Sequence, residues 1–199
     1  MIQYGLISKV DSAVLEKTID LICDEFPSDI IRYTEVGLYN CATALGIHNY
    51  ISSKYRSVTV VGIDNEKDKP IDAPFWLHYI KGNSNEVYNQ LEDNSQHLIL
   101  IDGNHSFPYV ISDYYCYKNK VKIGGYLAFH DAAPQAQGKD WQRMGDENDR
   151  DMCISVEKAL MSIGLTNPIK QFYLGWTPVF YEYDENDRCG GIVVFKKVK

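Results

Sequence analysis

Features that define several large classes of protein are missing from this sequence of 199 residues. It has no apolar run close to the roughly 20 residues that cross a bilayer, and its first residues lack the basic and apolar regions of a signal peptide. Acidic residues (27) outnumber Lys and Arg (20), whereas nucleic-acid binders cluster basic side chains against the phosphate backbone. We therefore expect a cytoplasmic protein with no membrane or nucleic-acid partner.

The sequence also lacks the signature of a disulfide framework and that of a nicotinamide-binding site. The five cysteines are far apart without a C-x-x-C pair, and an odd number cannot close a complete disulfide framework, so we expect reduced thiols. No G-x-G-x-x-G motif follows the first predicted strand, where a nicotinamide cofactor would need backbone amides for its pyrophosphate. A nicotinamide-dependent reductase is therefore disfavoured.

What the sequence does contain is an alternation of buried-strand and helical patterns. Strands are predicted at 30–37, 57–64, 75–80, 97–102 and 125–130, and helices at 11–26, 41–53, 85–92, 108–120 and 152–163. Strand-like segments at 171–183 and 191–198 flank a turn at 184–187. Continuous apolar strands that alternate with helices favour a parallel sheet covered on both faces.

These patterns predict one α/β domain over residues 1–199. Its sheet is expected to be doubly wound, mostly parallel and seven-stranded, with a C-terminal antiparallel hairpin. The N-terminal helix 11–26 is expected to begin at Asp11 or Ser12 as its cap. Residues 132–151 are polar enough to predict an inserted loop.

Polar side chains follow five consecutive predicted strands. They are Glu35 and Gly37, Asp64, Gly82-Asn83-Ser84, Asp102-Gly103-Asn104-His105, and His130-Asp131. Taken singly, such residues have a simple explanation, because Asp and Gly are common in turns. Because the carboxyl ends of parallel strands form the ligand crevice of an open sheet, the set together predicts a binding site.

Four motifs at these strand ends resemble a known family. They are Tyr33-Thr34-Glu35-Val36-Gly37, Val60-Val61-Gly62-Ile63-Asp64, Ile101-Asp102-Gly103-Asn104-His105 with Asp113 downstream, and Gly124-Gly125-Tyr126-Leu127-Ala128-Phe129-His130-Asp131. They resemble class I S-adenosylmethionine-dependent methyltransferases, in the small O-methyltransferase branch of the methyltransferase-24 type. That branch is similar to the catechol-type metal-dependent enzymes. The resemblance covers most of the chain and implies a Rossmann-like methyltransferase fold.

The resemblance implies S-adenosylmethionine as cofactor and a set of residues that bind it: Glu35, Gly37, Asp64, Asn83, Ser84 and Asp102. Glu35 and Gly37 would line the methionine and ribose portion, with Gly37 letting backbone approach closely. Asp64 would accept hydrogen bonds from the ribose hydroxyls. Asn83 and Ser84 would lie near the adenine.

Catechol-type relatives also hold a divalent cation, such as Mg²⁺, at the ends of the fourth and fifth strands. Asp102, His130 and Asp131 occupy those positions here. Carboxylates suit a hard ion, whereas His130 suits zinc, manganese or iron. The catalytic base of those relatives lies three residues after the fourth-strand carboxylate, which is His105 in this chain.

The function implied is divalent-metal-assisted O-methyl transfer to a hydroxylated small molecule or sugar. The acceptor pocket would be completed by residues 132–151, by the N-terminal helix or by a second subunit of a homo-oligomer. His48, His78 and His97 lie in no motif and are interpreted as surface or packing residues.

Two alternatives stay open. Cys41 replaces a glycine that is common in the family and would crowd the cofactor, which suits a catalytically degenerate cofactor-binding or scaffold protein. The second alternative is a metal-dependent hydrolase with zinc held by a cluster of four residues: Asp102, His105, His130 and Asp131.

Overall fold

The structure is a computed structural model that describes residues 7–65, 73–132, 147–167, 170–171, 174–182 and 191–199. Its elements in chain order are α1 (Lys9–Glu25), β1 (Ile31–Val36), α2 (Ala42–Ser53), β2 (Val58–Asp64), β3 (Leu77–Lys81), α3 (Ser84–Val87) with a 3₁₀ turn (Tyr88–Gln90), β4 (Gln96–Ile101), α4 (Phe107–Tyr117), β5 (Val121–Phe129), α5 (Glu147–Ile163), β6 (Trp176–Glu182) and β7 (Ile192–Lys197).

The seven strands form one sheet in the order β3-β2-β1-β4-β5-β7-β6. Neighbouring strands from β3 to β5 pair in parallel. β7 pairs antiparallel with both β5 and β6. The predicted mostly parallel sheet with a C-terminal antiparallel pair is therefore confirmed, although the predicted turn at 184–187 lies outside the described residues.

Apolar side chains cover both faces of the sheet. Along β4, Leu98 and Leu100 pack in the cluster that includes residues of α1 and α2. Ile99 and Ile101 pack in the opposite cluster, with residues of α4 and α5. This two-sided burial explains why the strand reads as an unbroken apolar run rather than an alternating one. Among the described residues, no helix has the length and apolar character that a membrane crossing requires.

Helix α1 begins earlier than predicted, and its cap is a different residue. Ser8 is the N-cap: its Oγ accepts a hydrogen bond from Asp11 N (3.0 Å), and Asp11 Oδ2 accepts one from Ser8 N (3.2 Å). This reciprocal pair is a capping box. Asp11 and Ser12, the predicted caps, lie in the first turn instead, where both side chains are buried.

Three other boundaries differ from the prediction. Helix α5 begins at Glu147, so the final part of the predicted 132–151 loop is helical, while residues 133–146 lie outside the described part. The helix predicted at 85–92 is shorter and ends in a 3₁₀ turn at Gln90. At the C-terminal end, Gln171 and Leu174 have helical geometry, and β6 begins only at Trp176.

Strand β5 begins at Val121 rather than Gly125, because its two glycines lie inside the strand. Gly124 has a φ of +86°, a region that side chains disfavour. A Cβ on Gly125 would lie 3.0 Å or less from three backbone oxygens, including those of Gln96 and His97. The register between β4 and β5 also shifts between Gln96 and Leu98. The glycines therefore permit close packing of two central strands.

Candidate functional site

A cavity of about 320 Å³ opens at the carboxyl edge of the sheet. It is bounded by the residues that follow β1, β2, β3 and β4. Five of the six residues predicted to bind the cofactor line it: Gly37, Asp64, Asn83, Ser84 and Asp102. The structure thus brings together side chains that are far apart in sequence.

Gly37 allows two of the bordering loops to meet. Its φ is +90°, and a Cβ built on it would lie 2.2 Å from the backbone oxygen of Asp102 and 2.6 Å from Cα of Gly103. No other residue type fits this approach. The backbone after β1 therefore lies directly against the backbone after β4, which narrows the floor of the cavity.

Asp64 ends β2 and points toward the loop after β1. Its Oδ2 accepts a hydrogen bond from the backbone N–H of Tyr39 at 2.9 Å. Tyr39 also lines the cavity and has a φ of +45°. Asp64 therefore binds the β1 loop and borders the cavity.

Ser84 begins α3 and is held by two buried residues of α4. Its Oγ donates a hydrogen bond to Asp113 Oδ1 at 2.5 Å, and its backbone oxygen accepts one from Tyr117 Oη at 2.9 Å. Burial raises the pKa of Asp113 to about 6, although the hydrogen bond from Ser84 opposes that rise. Both the hydroxyl and the carbonyl of Ser84 are therefore fixed in direction.

Glu35, the sixth predicted cofactor residue, does not line the cavity. It is 2% exposed, and one of its carboxylate oxygens accepts a hydrogen bond from Tyr33 Oη at 2.8 Å. Burial raises its pKa well above the ordinary value, against the opposing effect of the Tyr33 hydrogen bond. In this structure the carboxyl of Glu35 contacts a buried tyrosine rather than the crevice.

Three carboxylates and two imidazoles alternate beside the cavity, and we call these residues the acid–imidazole network. His105 Nδ1 lies 3.2 Å from Asp131 Oδ2, and His105 Nε2 lies 3.3 Å from Asp102 Oδ1. His130 Nδ1 lies 3.0 Å from the same Asp102 oxygen, and His130 Nε2 lies 3.2 Å from Asp11 Oδ2. Asp102 is therefore shared by both rings.

The network favours charged forms of its members. Burial lowers the pKa of His130, but Asp102 and Asp11 outweigh it and hold that pKa well above the ordinary value. The pKa of His105 is raised in the same way, by Asp102 and Asp131 against burial. Burial raises the pKa of Asp102, yet the two imidazoles lower it to about 2. Each ring nitrogen faces a carboxylate acceptor, which a doubly protonated ring satisfies best.

Three members of the network fit a metal ion. Asp102, His105 and Asp131 each offer one ligand atom, and these atoms lie within 4.8 Å of one another. Within the described part of the chain, Asp131 Oδ1 is buried without a hydrogen-bond partner, a state that a cation would relieve. Two carboxylates and one imidazole suit Mn²⁺, Fe²⁺ or Zn²⁺, and they accommodate Mg²⁺ less readily.

The membership of this cluster differs from the predicted set in one residue. His130, predicted as a ligand, lies outside this group; its two ring nitrogens face Asp102 and Asp11, just as those of His105 face Asp102 and Asp131. His105, predicted as the base, lies in the cluster instead, because it is placed between Asp102 and Asp131. Both imidazoles are paired with carboxylates, so the assignment of one histidine to a cation and the other to proton transfer stays a prediction.

Cys41 does not border the cavity. It is the N-cap of α2 with a φ of +65°, and it is 3% exposed. Its side chain packs in the apolar cluster that includes Leu38 and Ala44. The predicted crowding of the cofactor by this side chain therefore has no counterpart in the cavity lining.

Sequence reasoning missed several residues of the site. Tyr39 and Tyr109 line the cavity, and Tyr39 lies two residues after Gly37, a position that was singled out. Asp11 gave no such signal, because an acid at the third position of a helix is already explained by capping. Only the packing of α1 against the end of β5 reveals its contact with His130.

Comparison with known families gives a match over part of the chain. Residues 42–132 match the family model described as "Methyltransferase domain". This range begins at α2 and ends directly after Asp131, so it includes Asp64, Asp102 and His105. No curated protein matches the sequence.

Solved structures with the same fold are similar over nearly the whole chain. A candidate caffeoyl-CoA O-methyltransferase from Staphylococcus aureus is 14% identical with a TM-score of 0.67, covering 97% of this chain and 86% of that one. The O-methyltransferase NovP is 10% identical with a TM-score of 0.63, covering 95% and 80%. MycE, solved with Mg, SAH and mycinamycin VI, is 16% identical with a TM-score of 0.58, covering 90% and 48%.

Proposed function

We propose that this chain is a class I S-adenosylmethionine-dependent methyltransferase, which methylates a hydroxyl oxygen of a small molecule or sugar with the help of a divalent cation. One observation carries the proposal. Asp102 both lines the cavity and belongs to the cluster that fits a metal ion, so a cofactor site and a cation site share one carboxylate.

The order of strands supports one orientation of the cofactor. From the outer strand inward, the cavity presents Ser84 after β3, Asp64 after β2, Gly37 after β1 and Asp102 after β4. With the ribose hydroxyls on Asp64, the adenine extends toward Ser84 and the sulfonium end toward Asp102. The transferable methyl group then faces the acid–imidazole network.

In this orientation the protein's own residues align the cofactor with the acceptor and neutralise charge. Asp64 binds the ribose, and Gly37 lets the cofactor pass close to the backbone, which fixes the direction of the methyl group. Methyl transfer converts the sulfonium to the thioether of S-adenosylhomocysteine, and the acceptor hydroxyl loses its proton. A cation held by Asp102, His105 and Asp131 would lower the pKa of that hydroxyl.

The proton needs an acceptor, and two groups of the network qualify. His105 can act as the predicted base only if one of its nitrogens is released from its carboxylate. Asp131 is the other, through the carboxylate oxygen that does not bind the cation. If His105 binds the cation, the proton passes to Asp131.

Calorimetric titration with S-adenosylhomocysteine, with and without Mn²⁺, tests cofactor binding. We expect binding by the native protein, and a loss of about tenfold or more in Asp64→Ala, because a charge-assisted hydrogen bond to the ribose is removed. Asp93→Ala, at an exposed carboxylate remote from the cavity, is the matched control and retains native affinity. No binding at millimolar concentration in either condition would refute the proposal.

Transfer itself is tested with methyl-labelled S-adenosylmethionine and a panel of catechols, other phenols and sugars. We expect label on oxygen, loss of transfer in EDTA and recovery with Mn²⁺ or Mg²⁺. Cofactor binding without transfer to any acceptor would support the catalytically degenerate alternative. The hydrolase alternative has less support, because the family model that matches residues 42–132 is that of a methyltransferase domain.

A further inference from the structure

A buried carboxylate on α4 contacts Ser84, which lines the cavity at the end of β3. Asp113 is 2% exposed on α4, and burial raises its pKa. A carboxylate in such surroundings is costly unless it is well paired. The partner that the structure gives it is the hydroxyl of Ser84, which borders the cavity. Asp113 therefore acts on the cavity through Ser84.

The direction of this hydrogen bond determines what Ser84 can offer a ligand. A serine hydroxyl has one hydrogen to donate and two lone pairs that accept. A carboxylate only accepts, so the hydrogen of Ser84 Oγ points to Asp113, at 2.5 Å. What remains for a ligand is a lone pair. Beside Asp113, the Ser84 hydroxyl is an acceptor and not a donor.

The rest of the residue is also held in place. Tyr117 lies one helical turn after Asp113 on α4, and its hydroxyl donates to the backbone oxygen of Ser84 at 2.9 Å. Both residues are buried. Because side chains four residues apart share a helix face, one face of α4 fixes both the hydroxyl and the carbonyl of Ser84. The Ser84 hydroxyl cannot present its hydrogen to the cavity without losing its hydrogen bond to Asp113.

We propose that Asp113 is a positioning residue that makes Ser84 a hydrogen-bond acceptor, so that the cavity selects a 6-amino purine over a 6-oxo purine. This inference rests on the proposed function, which puts the purine of the cofactor beside Ser84. An exocyclic amino group donates to the oriented hydroxyl. A 6-oxo group is an acceptor, so it meets a lone pair and loses its hydrogen bond to water without replacement.

The experiment compares two ligands by calorimetry: S-adenosylhomocysteine, and S-inosylhomocysteine, in which oxygen replaces the amino group. We expect the native protein to prefer the adenosyl ligand by about tenfold or more, the effect of one hydrogen bond. In Ser84→Ala the preference falls to within about threefold, because adenosyl affinity is lost. Ser53→Ala, at an exposed serine whose hydroxyl also donates to a carbonyl, retains the native preference.

Asp113→Ala distinguishes positioning from a merely structural role. Without the carboxylate, the Ser84 hydroxyl can turn and donate to the 6-oxo group, so the preference falls because inosyl affinity rises. A structural role would weaken both ligands alike and leave their ratio unchanged, which would overturn the inference. Melting temperatures check that the variant folds. If it does not, an unchanged ratio in Ser84→Ala alone overturns the inference.

Different results would refute the proposed function and the inference about Asp113. No binding of either ligand to the native protein would refute the proposed function and this inference with it. Equal affinities of the native protein for the two ligands would refute the inference and leave the proposed function standing.

Discussion

Two buried histidines at opposite edges of the same sheet have pKa values that shift in opposite directions. His97 is the second residue of β4, at the amino edge of the sheet. Burial lowers its pKa against the opposing effect of Asp29. His130 follows β5, at the carboxyl edge, and its pKa is raised. Their exposed fractions are similar, 3% and 7%, so the depth of burial does not explain the difference.

The partners of the ring nitrogens explain it. His97 Nδ1 accepts a hydrogen bond from the backbone N–H of Arg32 at 3.0 Å, which requires an unprotonated nitrogen. Its Nε2 faces Asp29, whose charge is shared with Lys122. His130 has no donor opposite its ring: Asp102 and Asp11 both accept. One edge of the sheet thus fixes a neutral ring that holds strands together, and the other a charged ring beside a cavity.

The largest expected effect comes from removing Asp11. Asp11→Ala leaves His130 with one carboxylate partner, and breaking a buried ion pair in this way costs about 3 to 5 kcal/mol. Urea unfolding in EDTA measures the loss.

Ser8→Ala is the matched control for Asp11→Ala, because it breaks the same capping box without touching His130. We expect it to cost about 1 kcal/mol. Equal losses in the two variants would mean that Asp11 serves the helix cap and not the imidazole.

The next effect concerns cation affinity at the carboxyl edge. Asp102→Asn keeps the shape of the side chain but removes the charge between His105 and His130. We expect Mn²⁺ affinity, measured by electron paramagnetic resonance, to fall about 100-fold or more, because loss of a contact that only supports a ligand already costs about 10- to 100-fold. Asp93→Asn is the control. Unchanged affinity would place the cation elsewhere.

A comparison of pH dependence sharpens the contrast between the histidines. A lowered pKa in the folded state favours the neutral ring, so the stability that His97 contributes is present above its unfolded value and is lost as pH falls. A raised pKa has the opposite sign, so the contribution of His130 is present at low pH and is lost as pH rises. From pH 7.5 to 5.5 in EDTA, the stability advantage of the native protein over His97→Asn should shrink, and that over His130→Asn should grow. Changes of the same sign would contradict the contrast.

The smallest effect is expected at Cys41, which borders neither histidine. Its φ of +65° is better suited to glycine, but its side chain packs in the core. Cys41→Gly should therefore leave the affinity for S-adenosylhomocysteine within about twofold of the native value. A gain of tenfold or more would show that the thiol crowds the cofactor after all.

The mostly parallel sheet could be predicted from the sequence because its central strands are apolar throughout, as Leu98 to Ile101 show, and are bounded by turn residues. The start of β5 could not, because Gly124 and Gly125 read as a break when their lack of a side chain in fact permits close strand packing. The helical start of α5 was missed because its first residues are polar, with no apolar periodicity.

The site, like the fold, could be predicted only in part. Strand ends identified Gly37, Asp64 and Asp102, because topology alone brings them to one edge. Topology does not determine which way a side chain points, so the contacts of Glu35, His105 and His130 could not be predicted from their positions. Asp11 needed tertiary packing to be found, since nothing local separates a buried acid from a capping one.

The most direct test of the account is a crystal structure with S-adenosylhomocysteine and Mn²⁺, with the ion located by anomalous scattering. We predict the ribose on Asp64, the adenine beside Ser84, and the ion bound by Asp102, His105 and Asp131, with His130 still between Asp102 and Asp11. A nucleoside bound outside the cavity, or an ion held by His130 instead of His105, would contradict it.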